Sequence, residues 1–440
     1  MFYKKSWLLA TINKEHLING KMIQVKLTPT SRGKIPNTSF DTLDKIPTRH
    51  FTDWLNLPDD KDKIVPKIKK FVQERKGSWD RVLCLGMGGS ALGIVTLQKA
   101  FYPFDDRLKV LDNLDSNTIY HELSILNPER TLVLVISKSG TTLETMTQFS
   151  IFKEKYSEKQ FKKNFIFLTD PNTGKLRELI TGYQTCPPWR ETGKPLSTET
   201  TAKVEDEQLT SFHIPPQVGG RFSVLSAVGL LPFALLGGDI DSLLKGAASM
   251  KKRCLEKSLN NPALQLASIT HQLNKPLVTM LIYDDQLSAL GAWYQQLLAE
   301  SIGKSKKVGF TPLPLRGASD QHSVLQLLQD GPNDKLNIFL EVINPFIDVL
   351  VPRTSKKAPR LTVHNILRAE CNATEQALRE DGRPTIMIEI PETTPHTLGE
   401  LFMLFQMQIA ILGELYGIDA YNQPGVEKSK KIARELLKNS

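Results

Sequence analysis

Short apolar runs alternate along the chain with longer stretches in which apolar residues follow a helical period, and the runs fall into two groups of three. A strand buried on both faces reads as a near-continuous apolar run, because neither face meets water. The pattern therefore predicts an α/β fold with mainly parallel sheets. The six predicted strands are residues 82–85, 132–136, 165–168, 277–282, 338–343 and 386–390.

A segment rich in Pro, Thr and Gly, from residue 185 to residue 217, separates the two groups of strands. Such a composition is typical of loops, so the chain is predicted to form two α/β domains joined near residues 200–225. An apolar run at 222–236, closed by two glycines, predicts a buried helix. The predicted boundaries are an N-terminal extension at 1–60, a first domain at 61–215, a second domain at 216–415 and a C-terminal arm at 416–440.

The C-terminal part of the chain predicts a long apolar helix from residue 397 to about residue 416. A loop from Tyr421 to Lys430 and a basic helix ending at Ser440 are predicted after it. Residues 1–50 carry weak signals, so no structure is predicted for them.

The composition is that of an ordinary globular protein, with 440 residues, 40% of them hydrophobic and 23% charged. Four widely spaced cysteines predict neither a disulfide framework nor a zinc site, and they fit a reducing cytosol. The apolar run at 7–12 is too short for a secretion signal or a membrane span. The net charge of +9 admits an anionic partner, but the lysine runs at 61–76 and 153–163 contain acidic residues, which favours solvated helix faces.

A glycine cluster follows the first predicted strand, and Ser90 is then predicted to open a helix. The cluster consists of Gly86, Gly88 and Gly89. Glycines permit backbone angles that other residues avoid, and the free amides of a helix N-terminus stabilise anions. A tight strand-to-helix turn without any ligand has the same sequence pattern, so this loop alone does not identify a site.

Hydroxyl side chains follow the second predicted strand, beside Lys138. They belong to Ser137, Ser139, Thr141 and Thr142. The spacing of Thr141 and Glu144 predicts a capping box, but a cap uses one hydroxyl and three remain at the positive end of the helix. The loop is not a Walker sequence, and the glycine cluster is not a complete dinucleotide fingerprint, so a sugar phosphate fits better.

A carboxylate and an imidazole are candidates for proton transfer. Gln296 and Glu300 are four residues apart on a helix predicted at 287–302, so they share a face, and Gly303 marks its end. The negative end of the helix dipole disfavours a second negative charge there, which suits a general base. His322 is predicted to lie in a polar loop.

Two cations complete the set of candidates. Arg221 follows paired glycines, where it could be a structural cap, one half of an ion pair or a functional cation. Lys430 lies in a charge run, for which a solvated helix face is the ordinary explanation.

Taken in chain order, five segments resemble those of the glucose-6-phosphate isomerase family, of the short bacterial type, over roughly residues 80 to 432. Both loops look like those of sugar-isomerase domains. The segments with Arg221 and with Lys430 are similar to the two hallmark motifs of the family. The five segments are 86–93, 137–145, 218–224, 296–304 with 321–323, and 421–430.

The resemblance implies two three-layer α/β domains with mainly parallel sheets, plus a C-terminal helical arm. It implies interconversion of glucose 6-phosphate and fructose 6-phosphate, through ring opening and a cis-enediol(ate), in glycolysis and gluconeogenesis. Glu300 is the implied base between C2 and C1, and Arg221 the cation that stabilises the enediolate. His322, helped by Lys430, is implied to open and close the sugar ring. The implied substrate-binding residues are Gly89, Ser90, Ser137, Lys138, Ser139 and Thr142 for the phosphate, and Gln296 and Gln423 for hydroxyls.

The resemblance also implies a cytoplasmic homodimer in which His322 completes the site of the neighbouring subunit. An isolated monomer should then be inactive. No metal, redox cofactor, nucleic acid or membrane partner is implied. The sequence departs from the family pattern at Pro216 and at Gly140, which leaves the shape of these two loops open.

Three other functions stay open on the sequence alone. A non-catalytic sugar-phosphate sensor would need the two loops but no base, and the acid–base residues argue against it. An isomerase of another phosphorylated sugar, such as mannose 6-phosphate or an amino sugar, would share the loops and the base. A nucleic-acid binder rests only on net charge and predicts strong salt-dependent binding to DNA.

Overall fold

The computed structural model describes residues 10–12, 22–27, 39–185, 209–353, 355 and 359–438. The chain folds into two compact units. The first unit consists of residues 47–244, and the second unit consists of residues 1–46 and 245–440.

Strands and helices alternate through most of the described chain. The strands are β1 (Ala10–Ile12), β2 (Gln24–Leu27), β3 (Arg81–Leu85), β4 (Leu108–Leu111), β5 (Thr131–Ile136), β6 (Phe165–Thr169), β7 (Thr210–His213), β8 (Leu277–Tyr283), β9 (Thr311–Arg316), β10 (Lys335–Val342), β11 (Ile347–Val349) and β12 (Thr385–Ile390). The helices are α1 (Asp41–Lys45), α2 (Lys61–Glu74), α3 (Leu92–Phe101), α4 (Ser116–Ser124), α5 (Leu143–Lys153), α6 (Glu158–Asn164), α7 (Lys175–Thr185), α8 (Ala227–Leu235), α9 (Ile240–Leu255), α10 (Pro262–Leu273), α11 (Ser288–Ile302), α12 (Gln321–Gln329), α13 (Val363–Glu380), α14 (Pro395–Tyr416) and α15 (Glu427–Lys438).

The first unit is built on a five-stranded sheet in the order β4-β3-β5-β6-β7, with every neighbouring pair parallel. All six residues of β5 are buried, as expected for a central strand covered on both faces. Phe149 of α5 packs edge-on against Phe165 and Phe167 of β6. Each such ring contributes about 1.5–3 kcal/mol through burial alone, so this aromatic cluster fixes α5 against the sheet.

The second unit is built on a five-stranded sheet in the order β2-β12-β10-β8-β9. β2 joins β12 antiparallel, and the other pairs are parallel. β9 lies at the edge, where Pro312 and Pro314 are tolerated because an edge strand has one row of unpaired amides. β1 and β11 form a separate antiparallel pair.

Helix α14 is the buried helix of the second unit. It starts at a capping box formed by Thr394 and Thr397 and ends at Gly417, whose φ of 64° is left-handed. The helix is long and apolar enough to cross a membrane, but 89% of its most apolar window is buried inside the structure. It packs against α10 and α11 of its own unit, so it is a core helix.

All six predicted strands are confirmed, as are the helices predicted at 287–302 and from 397 to 416. The α/β class with mainly parallel sheets is confirmed as well. The helix predicted at 222–236 is wrong in its first part. A 3₁₀ turn at Gly220–Leu225 precedes α8, because Ser226 is extended and its side chain caps the amide of Val228.

Residues 216–244, assigned from the sequence to the second domain, group with the first unit. The 3₁₀ turn at Gly220–Leu225 packs against the turn at Gly88–Ser90, and α8 packs against α2 and α3. Most of the predicted linker, residues 186–208, lies outside the described residues, and its last part contains β7. The division of the chain into four separately folding segments stays a prediction.

Candidate active site

The carboxyl ends of β3 and β5 lie side by side in the first unit. The strands are parallel neighbours, with Leu85 opposite Val135. β4 lies on the other side of β3, while β6 and β7 follow β5, so the strand order reverses between β3 and β5. Open α/β sheets bind ligands at such a reversal, outside the carboxyl ends of the strands. The loops at 86–90 and 137–142 both begin at this edge.

The first loop is packed against the turn that carries Arg221. A Cβ atom at Gly89 would lie 2.2 Å from the carbonyl carbon of Gly220 and 2.6 Å from the amide nitrogen of Arg221, so glycine is required. The hydroxyl of Ser223 donates to the Gly220 carbonyl at 2.7 Å and contacts the Gly89 carbonyl at 3.3 Å. The structure thus brings the glycine loop and Arg221 together, although Gly89 and Gly220 are 131 positions apart along the chain.

Both helices after these loops begin later than the sequence predicted. Ser90 lies in a 3₁₀ turn, and α3 begins two residues further on, at Leu92. The predicted capping box between Thr141 and Glu144 is wrong, because the N-cap of α5 is Thr142 and its side chain makes no capping bond. The hydroxyl of Thr142 instead lies 3.1 Å from that of Ser137.

The hydroxyls of the second loop are arranged by the loop itself. The amide of Gly140 donates to the hydroxyl of Ser137 at 3.1 Å. Ser139 accepts from the amide of Thr141 at 3.2 Å and from its hydroxyl at 2.9 Å. A hydroxyl that accepts these bonds still has its own proton to donate, which suits an anionic ligand.

The departure from the family pattern at Gly140 has a structural reason. Gly140 has a left-handed φ of 62°, and a Cβ there would lie 2.4 Å from the amide nitrogen of Leu176. A larger residue would strain the backbone and displace the start of α7. The loop in this chain therefore requires glycine.

Lys138 ties the second loop to the segment that leads to Arg221. Its Nζ donates to the carbonyl of Pro216 at 2.5 Å and to that of Val218 at 3.1 Å. The ring of Phe51 covers the ammonium, 5.2 Å from Nζ to the ring centroid. Burial lowers the pKa of Lys138, and Asp170 partly opposes this. The bond to residue 216 involves its backbone carbonyl, so it does not depend on the departure to proline there.

Arg221 is only 3% exposed. Its guanidinium carbon lies 5.6 Å from the centroid of the Phe222 ring, which in turn stacks on Trp54 at 5.1 Å. A guanidinium remains charged even when buried, and low polarity around it strengthens its field. Arg221 is therefore a fixed cation beside the glycine loop.

In the second unit, Gln296 and Glu300 form a hydrogen-bonded pair on α11. The Nε2 of Gln296 donates to the Oε2 of Glu300 at 3.0 Å, which confirms that the two share a face. The Oε1 of Gln296 is buried and accepts no hydrogen bond within the described parts of the chain. A buried amide oxygen of this kind is suited to a ligand hydroxyl. Gly303 is the C-cap of α11, as predicted.

The structure corrects the setting of His322. It is the second residue of α12, which runs from Gln321 to Gln329, and does not lie in a loop. Its side chain is exposed. The neighbouring Gln321 is held by hydrogen bonds from Tyr283 at 2.7 Å and from Thr374 at 3.1 Å, so the first turn of α12 is fixed and presents His322 outward.

The predicted loop from Tyr421 to Lys430 is shorter than expected. A 3₁₀ turn at Pro424–Val426 leads into α15, so Lys430 lies on a helix. Its Nζ forms an ion pair with Glu427 at 2.9 Å, one turn earlier. Gln423 is exposed in the short loop that remains. The last two residues of the predicted basic helix, 439 and 440, lie outside the described residues.

Two residues with contacts in these sites received no role from the sequence. Phe51 belongs to the predicted N-terminal extension at 1–60, and nothing local in the sequence connects it to Lys138. Lys304 donates from Nζ to the carbonyl of Glu300 at 3.0 Å and also to that of Asn422. A lysine just after a glycine C-cap is a recognisable signal for bonding to the last carbonyls of a helix, although not for its second partner.

The chain is similar in sequence to known proteins over most of its length. The family described as "Phosphoglucose isomerase" matches residues 53–182, 196–380 and 366–440. A "Glucose-6-phosphate isomerase" of Carboxydothermus hydrogenoformans is 37% identical over 416 residues, covering 87% of this chain and 84% of that protein. One of Thermus thermophilus is 34% identical over 397 residues, covering 87% and 89%.

Solved structures are similar in fold. A hypothetical protein from Thermus thermophilus has a TM-score of 0.81 at 31% identity, covering 94% of this chain and 100% of that one. A glucose-6-phosphate isomerase from Chlamydia trachomatis has a TM-score of 0.69 at 22% identity, covering 84% and 72%. The second likeness concerns the fold alone.

Proposed function

The chain belongs to the phosphoglucose isomerase family, and we propose that it interconverts glucose 6-phosphate and fructose 6-phosphate with Glu300 as the proton carrier. It is an aldose–ketose isomerase of carbohydrate metabolism. The family places this reaction in glycolysis and gluconeogenesis.

The observation that carries the chemistry is the pair of Gln296 and Glu300 on α11. The side chain of Gln296 donates a hydrogen bond to the Oε2 of Glu300 at 3.0 Å, and this bond orients the carboxylate. A general base must be held in place relative to the carbon from which it takes a proton. The buried Oε1 of Gln296 supports the role of that residue in holding a sugar hydroxyl.

The phosphate is proposed to bind at the carboxyl edge of β3 and β5. The amide of Gly89, the hydroxyl of Ser90 and the hydroxyls of the second loop supply hydrogen bonds to a dianion, whereas the amide of Ser90 already donates to the carbonyl of Met87 at 2.9 Å. The proposed hydroxyl ligands are those of Ser137, Ser139 and Thr142. Because the Nζ of Lys138 is bonded to two carbonyls, its side chain contributes charge and loop position more than a direct bond.

The reaction is proposed to begin with opening of the sugar ring. His322, with Lys430, transfers a proton between O1 and the ring oxygen, which gives the open-chain aldose. Glu300 then takes the proton from C2, and the electrons of that bond move towards O1 as the enediolate forms. Arg221 stabilises the negative charge. A proton then moves from O2 to O1, and Glu300 returns its proton to C1 as the carbonyl of the ketose forms at C2.

The test of this function is conversion of glucose 6-phosphate by the wild-type protein in deuterated water. Fructose 6-phosphate should form while deuterium enters the substrate at C2, because the base exchanges its proton with solvent during some turnovers. Sugar-phosphate binding without product would favour the sensor. Faster conversion of mannose 6-phosphate than of glucose 6-phosphate would favour an isomerase of another sugar.

The loss of one loop hydroxyl should weaken substrate binding more than turnover. Ser139→Ala removes a proposed donor to the phosphate, so we expect the KM for fructose 6-phosphate to rise about tenfold or more, with kcat little changed. Steady-state kinetics measures both constants. Ser150→Ala, on the exposed side of α5, is the matched control and should leave both unchanged. A fall in kcat at constant KM would contradict a phosphate-binding role.

We propose further that the protein is a cytoplasmic homodimer in which His322 completes the partner's site. His322 points outward from a fixed helical turn, which supports a role outside its own subunit. Three large apolar side chains, Phe346, Ile347 and Val363, are 78%, 56% and 54% exposed. They line a cavity of about 530 Å³ together with Ser319, three residues before His322. Exposed apolar surface of this kind is typical of a protein–protein interface, here with a second copy of the chain.

Subunit mixing tests the shared site. Glu300→Gln and His322→Ala homodimers should each be nearly inactive. If His322 acts across the interface, mixed dimers regain one intact site of two, so an equal mixture should reach about a quarter of wild-type activity. The measurement is turnover after the two inactive variants are dissociated and reassembled together.

The same mixture distinguishes the alternative arrangement. If His322 served its own subunit, every site of a mixed dimer would carry one defect, and no activity would return. Formation of mixed dimers is verified in the same sample by capturing a tagged Glu300→Gln subunit together with untagged His322→Ala. Captured mixed dimers without activity would refute the shared site.

A further inference from the structure

Lys304 joins the end of the helix that carries Glu300 to the chain segment that carries Gln423. Lys304 directly follows Gly303, the C-cap of α11. Its Nζ donates to the carbonyl of Glu300 at 3.0 Å and to the carbonyl of Asn422. One ammonium therefore bonds to two segments, although Lys304 and Asn422 lie 118 residues apart along the chain.

The segment that contains Asn422 is also held in place by hydrogen bonds and packing of its own. After α14 ends at Gly417, the carboxylate of Asp419 accepts from the amide of Tyr421 and from the side chain of Asn422, each at 2.8 Å. Ala420 packs so closely on α14 that a Cβ at Gly413 would lie 2.7 Å from it. Residues 417–422, here called the return segment, are thus fixed to α14 at one end and to α11 through Lys304 at the other.

The return segment leads directly into residues with proposed roles. Gln423 follows Asn422, and α15 with Lys430 begins four residues later, at Glu427. Any displacement of the carbonyl of Asn422 relative to α11 moves Gln423 relative to Glu300. Misplacement by about 1 Å costs reactions of this kind up to about 100-fold in rate.

We propose that Lys304 is a positioning residue that sets the place of Gln423, and of the start of α15, relative to the base Glu300. This inference rests on the proposed function of the same site. A lysine suits the task because its ammonium has three donors and favours the negative end of a helix. Capping alone would not require the bond to Asn422.

The test is Lys304→Met, which keeps the hydrocarbon chain and removes the ammonium. We expect kcat to fall about tenfold to 100-fold, while the KM for fructose 6-phosphate changes less than about threefold. Lys275→Met is the matched control. Lys275 also follows the C-cap of a helix, Asn274 of α10, and its Nζ donates to the carbonyl of Asn333 at 2.5 Å. It should retain wild-type kinetics.

Hydrogen exchange separates positioning from simple capping of α11. In Lys304→Met the amides of residues 421–426 should exchange faster, while the last amides of α11 keep their protection. Faster exchange confined to residues 300–304, with residues 421–426 unchanged, would identify a cap and overturn the proposal. Lys304→Arg can donate to both carbonyls and should therefore restore most of kcat. An Arg variant as slow as the Met variant would count against the positioning role of Lys304.

A double variant provides an independent check. If Lys304 acts through the return segment, Lys304→Met combined with Gln423→Ala should lose less than the product of the two single losses, whereas independent roles would multiply them. Multiplied losses would overturn the proposal. Failure of the proposed function would show differently, as an absence of isomerisation in the wild type. Wild-type turnover with an equally active Lys304→Met would refute the inference alone.

Discussion

Glu300→Gln is expected to lose isomerisation by about 10³-fold while fructose 6-phosphate still binds. Glutamine has nearly the shape of glutamate and can keep the hydrogen bond from Gln296, so the local structure should persist. Its amide oxygen is far too weak a base to take a proton from carbon. The variant therefore removes one function, proton transfer between C2 and C1, and leaves the rest of the site in place.

The decisive measurement is the entry of deuterium at C2 of glucose 6-phosphate, recorded beside the formation of fructose 6-phosphate. Both should disappear together in Glu300→Gln, because one carboxylate carries the proton in both processes. Substrate affinity, measured by equilibrium binding, should change little. Substantial turnover in Glu300→Gln would refute the assignment of the base.

The chain contains a well-matched control for this change. Gln376 donates to Glu380 at 2.7 Å on the exposed side of α13, which is the same arrangement, four residues apart, as Gln296 and Glu300. Glu380→Gln makes the same chemical change in an equivalent helical pair. It should leave turnover and exchange unchanged, so a loss in Glu300→Gln could not be attributed to a general effect of the substitution.

The strands that could be predicted from the sequence are those buried on both faces. β5 is buried at every position and reads as a continuous apolar run. β10 is equally buried but contains Lys335, Asn337 and Glu341, so only its part from residue 338 was predicted. β9 was missed because Pro312 and Pro314 argue against a strand, and an edge position is what makes them acceptable. β2 was missed because four residues of mixed polarity carry no signal until β12 provides a partner.

Some features of the candidate site could likewise be predicted from neighbouring residues in the sequence, whereas others depend on contacts between distant residues. The sharing of a face by Gln296 and Glu300 follows from a spacing of four residues, which the hydrogen bond between them confirms. The contact of Gly89 with Gly220 and the bond from Lys304 to Asn422 join residues far apart in sequence. Their existence depends on how the whole chain folds, so no local pattern could predict them.

The first turn of α12 could not be predicted from the sequence for a different reason. The polar residues before Val324 favour a loop, and α12 buries a single side chain, Leu328, so its apolar stripe is faint. The turn is stabilised by tertiary bonds from Tyr283 and Thr374 to Gln321. Tertiary contacts commonly override weak local preference in this way.

Arg221→Met is expected to lower kcat by about 10²- to 10³-fold, because a fixed cation next to developing negative charge stabilises the transition state by about 2.7–4 kcal/mol. The charge is needed most when the enediolate forms, so the KM for fructose 6-phosphate should change much less. Arg221→Lys keeps the charge without the planar guanidinium and should lose less than the methionine variant.

Affinity for a transition-state analogue separates electrostatic stabilisation by Arg221 from a structural role. A sugar-acid phosphate whose carboxylate mimics the planar anionic enediolate should bind Arg221→Met more weakly by about the factor lost in kcat, while inorganic phosphate binds as before. Arg130→Met, which removes a surface guanidinium paired with Asp80 in the same unit, is the control and should keep full activity. Equal weakening of the analogue and of inorganic phosphate would mean that the side chain of Arg221 maintains the phosphate site as a whole. The role of its charge at the enediolate would then be refuted.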